Sequence, residues 1–267
     1  MAGILSIQIN SLMGDKERNL EKIEKQLEQN CDKKLDLVLI PEFFSTNIDY
    51  EKAPEDENGG EVLARICELA RQYGTNIVAG SIVRKVGEKF YNTSFAVNRA
   101  GEVLTKYDKI HLFNYMGGNE GNFTSAGSEI VTVDFDFGRV GLAVCFDVRY
   151  PLLFNQLIKR GVDLITLPTA WLVPSQLYED DALVKGAKDM WQSMLKTRAY
   201  DNMVYFVVSN QCGRVNNGLR AIGNSMIISP SAEIQAKIDE EEGAIYSDID
   251  VDVVRFLRQI YPIAEID

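Results

Sequence analysis

The segment GLAVCFDVRYP, residues 141–151, begins as a buried apolar run and changes at Cys145, where polar residues follow. Pro151 ends the segment and stands in the first turn of an amphipathic stretch that Gly161 follows, the asymmetry typical of a helix. The segment therefore predicts a strand that ends at a cysteine and a helix that begins at Pro151. A strand end is a rigid support that can aim a side chain into a cleft.

Two further strand-like runs end at a reactive residue. LVLIPEFF carries Glu42 in this position, and VLTKYDKIHLF carries Lys109. A free cysteine is mostly a neutral thiol at physiological pH, so a nucleophilic Cys145 needs a base or a nearby cation. The residues leave two bases open: His111, which is the single histidine of the chain, and Glu42 supported by the ammonium of Lys109.

Along the rest of the chain, segments with helical spacing alternate with strand-like runs. We expect helices at 15–30, with Asp15 as the N-cap, and at 61–73, 150–161 and about 188–202. We expect strands at 36–44, 75–85, 90–109 as a hairpin turning near 99–101, 129–145 as two strands around Gly138, 162–171, 203–210, 225–230, 233–238 and 244–250. The pattern is that of an α/β protein with many strands, and the order of the strands does not follow from it.

Composition narrows the class of protein. The 267 residues are 46% apolar and 25% charged without a Pro/Gly/Ser-rich linker, so we expect a single domain over residues 1–267. The net charge of −11 disfavours nucleic acid and an anionic membrane as partners. No apolar run is long enough to span a membrane, and the first residues lack a basic signal region, so the expected location is the cytoplasm. The four cysteines stand far apart without a CxxC pair, so neither a metal site nor a disulfide framework is expected: Cys31, Cys67, Cys145 and Cys212.

The three strand-end motifs together resemble those of the nitrilase superfamily of carbon–nitrogen hydrolases, whose mark is a Glu–Lys–Cys triad. The motifs are PEFF around Glu42, YDKIHLF around Lys109 and CFDVRYP around Cys145, in the order and spacing of the family. Further matches run from QIN and GDKERNLEKI near the start to KTRAYDN at 196–202 and GNSMIISP at 223–230. The resemblance therefore covers nearly the whole chain.

The resemblance implies a role for each of these residues. Glu42 is expected to be the general base and Cys145 the nucleophile that forms a thioester. Lys109 and the backbone N–H of Phe146 are expected to stabilise the oxyanion. Glu120, which lies seven residues before Gly127, matches a second family glutamate that orients the lysine.

The substrate-binding residues are also carried over from the resemblance. Arg149 is expected to bind a substrate carboxylate, although the alternative is a structural ion pair with Asp147. Its motif resembles the omega-amidase branch, whose members hydrolyse the terminal amide of 2-oxo acids such as 2-oxoglutaramate. Ala170 and Trp171, at the end of the PTAW strand, are expected to line the pocket. The loop at 172–188 is longer than that branch leads us to expect.

The family further implies the fold and assembly. We expect a four-layer α-β-β-α sandwich that forms a homodimer or higher homo-oligomer, with the helix after Pro151 and the chain end at the interface. The expected function is hydrolysis of a small, carboxylate-bearing amide with release of ammonia, without a metal or cofactor. An N-carbamoyl amidohydrolase or a nitrilase would use the same residues, and a catalytically silent interaction protein could retain the fold.

Overall fold

The computed structural model describes residues 1–115 and 118–263, which form two six-stranded sheets with helices on their outer faces. In spatial order, the first sheet contains β15 (Gly243–Ile249), β1 (Ala2–Gln8), β2 (Leu37–Leu39), β3 (Asn76–Val86), β4 (Lys89–Val97) and β5 (Val103–Asp108). The second contains β14 (Ile234–Lys237), β13 (Met226–Ile228), β10 (Tyr205–Asn210), β8 (Leu164–Thr169), β7 (Gly138–Leu142) and β6 (Thr132–Phe135). The expected four-layer α-β-β-α sandwich is confirmed.

Alternation along β1 shows why the layers form. Ile4 belongs to the core between the two sheets, whereas Leu5 and Ile7 belong to the core under the helices. The Ser6 hydroxyl points between the sheets and donates to the carbonyl oxygen of Val208 on β10 at 2.8 Å. Successive strand residues point to opposite faces, and β1 is buried at every position, so it is covered on both sides.

Five helices complete the outer layers of the described chain, and their bounds are α1 (Lys16–Glu28), α2 (Gly60–Tyr73), α3 (Pro151–Lys159), α4 (Asp181–Asn202) and α5 (Val251–Ile260). Helices α1 and α2 pack over the first sheet, and α3 and α4 pack over the second. Asp15 caps α1 as predicted, since its carboxylate accepts a hydrogen bond from the backbone N–H of Arg18. Among the described helices, none has the length and apolar character of a membrane span.

The strand directions bring the predicted reactive residues to one end of the sandwich. Strands β1, β2 and β3 are parallel, and β5 runs in the same direction because it is two antiparallel steps from β3. Strands β7, β8 and β10 are parallel in the second sheet. In α/β sheets, sites form beyond the carboxyl ends of such strands.

The structure differs from the predicted elements at the long loop after Trp171. Helix α4 begins at Asp181 rather than near Lys188, and Asp180 caps it by accepting hydrogen bonds from the backbone N–H groups of Ala182 and Leu183. A third, three-stranded sheet, which the sequence did not reveal, holds the start of the loop: β9 (Leu172–Pro174), β11 (Cys212–Arg214) and β12 (Leu219–Ile222). The extra length is therefore ordered structure and not an open loop.

Candidate active site

Glu42 lies just beyond the end of β2, in a turn whose geometry is held by its neighbours. The next residue, Phe43, has a positive φ of 51° and donates its backbone N–H to the Ser81 hydroxyl at 3.1 Å. The side chain of Gln211 donates to the carbonyl oxygen of Glu42 at 2.7 Å. These contacts fix the backbone from which the buried Glu42 carboxylate projects.

Lys109 follows β5 directly and is held from both sides. Its backbone N–H donates to the carbonyl oxygen of Asn92 at 2.9 Å, and its own carbonyl oxygen accepts from the N–H of Gly127 at 2.9 Å. A Cβ atom at position 127 would lie 2.2 Å from the carbonyl oxygen of Asp108, so only glycine allows this approach. Gly127, which lies seven residues after Glu120, therefore helps to fix the backbone of Lys109.

Cys145 begins a short 3-10 helix, Cys145–Arg149, three residues after the last residue of β7. Its φ is +48°, a left-handed conformation that costs a non-glycine residue about 1–2 kcal/mol. Its side chain is buried with the residue 6% exposed. A strained and buried cysteine at a strand end is a candidate nucleophile, because strain of this kind clusters at functional sites.

Glu42, Lys109 and Glu120 form one buried ion cluster. The Lys109 ammonium donates to Glu42 Oε1 at 2.9 Å and to Glu120 Oε2 at 2.8 Å. All three side chains are at most 4% exposed. An ammonium has three N–H donors, so one remains for another acceptor in the site.

Asn92, which sequence reasoning missed, joins the two carboxylates. Its side-chain amide donates to Glu42 Oε1 at 2.9 Å and to Glu120 Oε1 at 2.8 Å. Glu120 also accepts the backbone N–H of Phe113 at 2.8 Å. In the sequence, Asn92 is one polar residue in the predicted strand 90–109, and only the pairing of β4 with β5 brings it beside Lys109.

The electrostatics of the cluster favour a neutral thiol beside a charged ammonium. Burial raises the pKa of Cys145 well above its ordinary value, and the facing Glu42 carboxylate raises it further, against the opposite effect of Lys109. Burial alone would lower the pKa of Lys109, but the charges of Glu120 and Glu42 outweigh burial and hold it well above its ordinary value. The thiol must therefore lose its proton to a neighbouring base when it attacks.

His111, the alternative base for the thiol, contacts Asp147 and Tyr150. Its Nδ1 lies 2.7 Å from Asp147 Oδ1, and its ring stacks on that of Tyr150 with centroids 3.5 Å apart. Glu42 and Lys109, by contrast, are the charged side chains that most affect the pKa of Cys145. The arrangement supports Glu42 as the base.

The remaining predicted residues line the same end of the sandwich. The backbone N–H of Ala170 donates to Glu42 Oε2 at 2.8 Å, so this residue also orients the carboxylate. The exposed Arg149 lies over the rings of Phe146 and Trp171, with its guanidinium carbon 5.9 Å and 5.7 Å from the ring centroids. Within residues 1–115 and 118–263, Arg149 makes no ion pair with Asp147 or another carboxylate, which favours the substrate-binding alternative.

The acidic side chains of the site are engaged in hydrogen bonds rather than free to bind a metal ion. Among the described residues, no group of three or more His, Cys, Asp or Glu side chains could hold one. The carboxylates of Glu42 and Glu120 are occupied by hydrogen bonds from Lys109, Asn92 and the backbone.

Comparison with known proteins agrees with the geometry. The sequence profile of the carbon–nitrogen hydrolase family matches residues 4–259. The chain is 29% identical over 266 residues to the chloroplastic omega-amidase of Arabidopsis thaliana, covering 95% of this chain and 69% of that protein. It is 28% identical over 262 residues to the 2-oxoglutaramate amidase of Bacillus subtilis, covering 97% of this chain and 95% of that protein.

A solved structure extends the similarity to three dimensions. The protein XC1258 of Xanthomonas campestris, described as a CN-hydrolase superfamily protein with an arsenic adduct in its active site, superposes with a TM-score of 0.86 at 26% sequence identity. The alignment covers 100% of this chain and 97% of that one.

Proposed function

The chain belongs to the carbon–nitrogen hydrolase family, and from this premise we propose that it hydrolyses the terminal amide of a small, carboxylate-bearing substrate. It is an enzyme of the amidase type, and relatives over nearly its whole length are named omega-amidase and 2-oxoglutaramate amidase. The observation that carries the proposal is the buried contact of Lys109 with both Glu42 and Glu120, beside Cys145.

The first half of the proposed reaction forms a thioester. Glu42 takes the thiol proton of Cys145 as the sulfur attacks the amide carbon, and the carbonyl oxygen becomes an oxyanion. The remaining N–H of Lys109 and the backbone N–H of Phe146 stabilise that oxyanion, and such donors are worth about 3 kcal/mol each. The protonated Glu42 then gives its proton to the leaving nitrogen, and ammonia departs.

The second half releases the acid. Glu42, again a carboxylate, takes a proton from water as the water oxygen attacks the thioester carbon. The new tetrahedral intermediate breaks at the carbon–sulfur bond, and the proton on Glu42 returns to the sulfur of Cys145. The sum is amide plus water giving carboxylic acid plus ammonia. Glu120 and Asn92 keep Lys109 and Glu42 in place through both halves.

Arg149 supports the carboxylate in the proposed substrate. It is exposed at the rim of the site and rests against Phe146, the residue that follows the nucleophile, and against Trp171. With its guanidinium carbon 5.9 Å and 5.7 Å from the two ring centroids and no ion pair among the described residues, Arg149 has its N–H fork available for a carboxylate. The net charge of −11 would otherwise repel an anionic substrate, so a local cation is needed.

The proposal is tested with pairs of small amides matched in size, one with and one without a carboxylate at the far end, scored by ammonia release. We expect the wild type to prefer the amide that carries the carboxylate. Arg149→Leu should raise the KM for that amide by about 10-fold or more, equivalent to about 1.4 kcal/mol. The KM for the neutral partner should change little. An equal effect on both partners would contradict the carboxylate site.

Two nucleophile variants complete the test. Cys145→Ala should abolish turnover with an unchanged circular dichroism spectrum, and Cys145→Ser should be nearly inactive because Glu42 is a weak base for an alcohol. Full activity in Cys145→Ala would refute the mechanism.

Two alternative activities of the same residues are tested by the products. Release of carbon dioxide would identify a carbamoyl substrate, and turnover of a nitrile but not of the corresponding amide would identify a nitrilase.

The proposal also covers the domain, assembly and location of the chain. We expect one domain over residues 1–267, a homodimer or higher homo-oligomer and a cytoplasmic location. Exposed apolar side chains on α3 and α5, Leu152 at 80% and Phe256 at 58%, support an interface that includes the helix after Pro151. The end of the chain at 264–267, which was also expected there, lies outside the described residues. Sedimentation velocity would give the oligomeric state.

A further inference from the structure

Asp147 is a buried carboxylate with four hydrogen-bond donors and no contact with a cationic lysine or arginine among the described residues. Its Oδ2 accepts the Tyr107 hydroxyl at 2.7 Å and the backbone N–H of Val144 at 2.9 Å. Its Oδ1 accepts from the backbone N–H of His111 at 3.1 Å and lies 2.7 Å from Nδ1 of the same residue. Such a group is costly to bury unless it is fully paired, as it is here.

The partners of Asp147 lie on the chain segments of two proposed catalytic residues. Tyr107 and His111 each stand two residues from Lys109, and Asp147 stands two residues after Cys145. The hydrogen bonds of Asp147 therefore tie the lysine segment after β5, in the first sheet, to the cysteine turn after β7, in the second sheet. This connection links the backbone segments that carry Cys145 and Lys109.

The same carboxylate also closes the turn around Cys145. The backbone N–H of Asp147 donates to the carbonyl oxygen of Val144 at 3.1 Å, while the Asp147 side chain accepts the N–H of Val144. These two hydrogen bonds join the residues on either side of Cys145 and so hold its backbone at the strained φ of +48°. Left-handed geometry at a non-glycine residue persists only where its surroundings hold it.

His111 is oriented as a hydrogen-bond donor to Asp147. The Asp147 carboxylate accepts hydrogen bonds from its other partners, so we assign the hydrogen of the His111 ring to Nδ1, which faces Asp147 Oδ1. The Tyr150 ring stacks on the imidazole and restricts its rotation. Burial and the charge of Asp147 raise the pKa of Tyr107 well above its ordinary value, so its hydroxyl is also a donor.

We infer that Tyr107, Asp147 and His111 form a clamp that positions Cys145 against Lys109, and that His111 acts through Nδ1 and not as the base of the thiol. The inference rests on the proposed function for the reaction that it assists. The three residues are positioning residues, because they act on the substrate only through Cys145 and Lys109.

The test replaces His111 by two amides that place their N–H at different points. The side-chain nitrogen of His111→Asn occupies the position of Nδ1, whereas that of His111→Gln occupies the position of Nε2. We expect His111→Asn to keep kcat within about 3-fold, and His111→Gln and His111→Leu to lose about 100-fold in kcat, as a misplacement of about 1 Å costs, with KM changed less than about 3-fold. Thermal unfolding of each variant separates this effect from loss of the fold.

Alkylation of Cys145 gives a readout that needs no substrate. Iodoacetamide should modify Cys145 at similar rates in the wild type and His111→Asn, and at least about 5-fold more slowly in His111→Gln, where the thiol no longer faces Glu42. Equal kcat and alkylation rates in the Asn and Gln variants would overturn the clamp. So would a loss in His111→Asn as large as in His111→Leu. If the wild type hydrolyses no amide, the proposed function fails, and the alkylation rates alone decide on the clamp.

Discussion

Asn92 shows how a single uncharged residue can hold two charged ones. Its amide donates to both Glu42 and Glu120, and it does so without bringing a second positive charge beside the base. A lysine or arginine in this place would stabilise the Glu42 carboxylate too well for it to accept a proton. An aspartate would add a third carboxylate around the single ammonium of Lys109.

We therefore expect Asn92→Asp to impair catalysis more than Asn92→Ala does. Asn92→Asp replaces two charge-assisted hydrogen bonds, worth about 1.5–3 kcal/mol each, by repulsion, and kcat at pH 7 should fall by about 100-fold or more. The added negative charge also increases the proton affinity of Glu42, so the acid limb of the pH profile of kcat/KM should move to higher pH.

The matched control is Asn98→Asp, which makes the same change in the β4–β5 turn, where Asn98 binds Glu102 and not the site. Its kcat should equal that of the wild type. A wild-type kcat and pH profile in Asn92→Asp would show that the amide does not hold the two glutamates.

At the residue scale, the sequence predicted the reactive groups but not their supports. Glu42, Lys109 and Cys145 are identifiable because each follows a strand-like run and stands in a family motif, although β5, before Lys109, is largely exposed. Asn92 and Asp147 carry no such signal, because their importance depends on which strands are neighbours. A polar residue within a strand is ordinary until the register shows what lies opposite. The family resemblance already favours Glu42 over His111 as the base, and the contact of His111 with Asp147 adds a structural reason.

Strand β3 positions Glu42 from the neighbouring strand through an irregularity in its pairing. The register of β3 with β4 shifts between Ala79 and Ile82, where Gly80 approaches the turn before Glu42. A Cβ atom at position 80 would lie 1.8 Å from the carbonyl oxygen of Pro41, a distance that no side chain can occupy. Glycine is therefore required here by close approach and not by a left-handed φ.

Gly80→Ala should displace Pro41 and with it the Glu42 carboxylate. We expect the free energy of unfolding to fall by about 1–3 kcal/mol, the range for overpacking, and kcat to fall by at least about 10-fold. Chemical denaturation and ammonia release measure the two effects on the same preparation.

Gly186→Ala provides the matched control for this change. Gly186 lies in α4, and apart from its chain neighbours and the backbone of its own helix, no heavy atom of the described residues lies within 4 Å of an added Cβ. The substitution should raise the free energy of unfolding by up to about 1 kcal/mol through helix propensity and leave kcat unchanged. Unchanged kcat in Gly80→Ala would mean that the Pro41 turn moves without carrying Glu42.

The elements that the sequence missed have two physical causes. The segment VDVVRFLRQI forms α5, yet its β-branched valines weaken helix propensity, and its position comes from packing against the second sheet through Val254. The strands β9, β11 and β12 are only three or four residues long, too short to show a period. Helices with clear boundary residues, such as Asp15 before α1, Gly74 after α2 and Pro151 in the first turn of α3, are predicted close to their observed bounds.

On the scale of the whole molecule, the four-layer fold followed from the family resemblance, while strand order could not be derived from periodicity. The site occupies the carboxyl end of β2, and a polar cluster occupies the opposite end. There Arg99 binds Asp36 beside β2 of the first sheet at 2.5 Å and Asp136 in the β6–β7 turn of the second sheet at 2.8 Å. Asn76 also donates to Asp136, at 2.8 Å. This cluster joins the two sheets at the end opposite the active site.

The joining cluster should make stability depend on pH in a defined direction. Burial alone would raise the pKa of Asp36, but hydrogen bonds from Gly3, Lys34 and Arg99 outweigh it and hold the pKa below its ordinary value. The stabilisation that Asp36 provides is therefore complete above the unfolded pKa, about 3.9, and is lost as the pH falls through the lower folded value.

Asp36→Asn should lower the free energy of unfolding by about 1.5–3 kcal/mol at pH 7. The difference from the wild type should hold down to about pH 5 and shrink below about pH 4, measured by urea denaturation across this range. Asp189→Asn, at an exposed position of α4, is the control for the substitution itself and should leave the free energy of unfolding at pH 7 close to that of the wild type. A wild-type advantage that grows on acidification would contradict the assigned direction, because only a group with a raised folded pKa gains in that way.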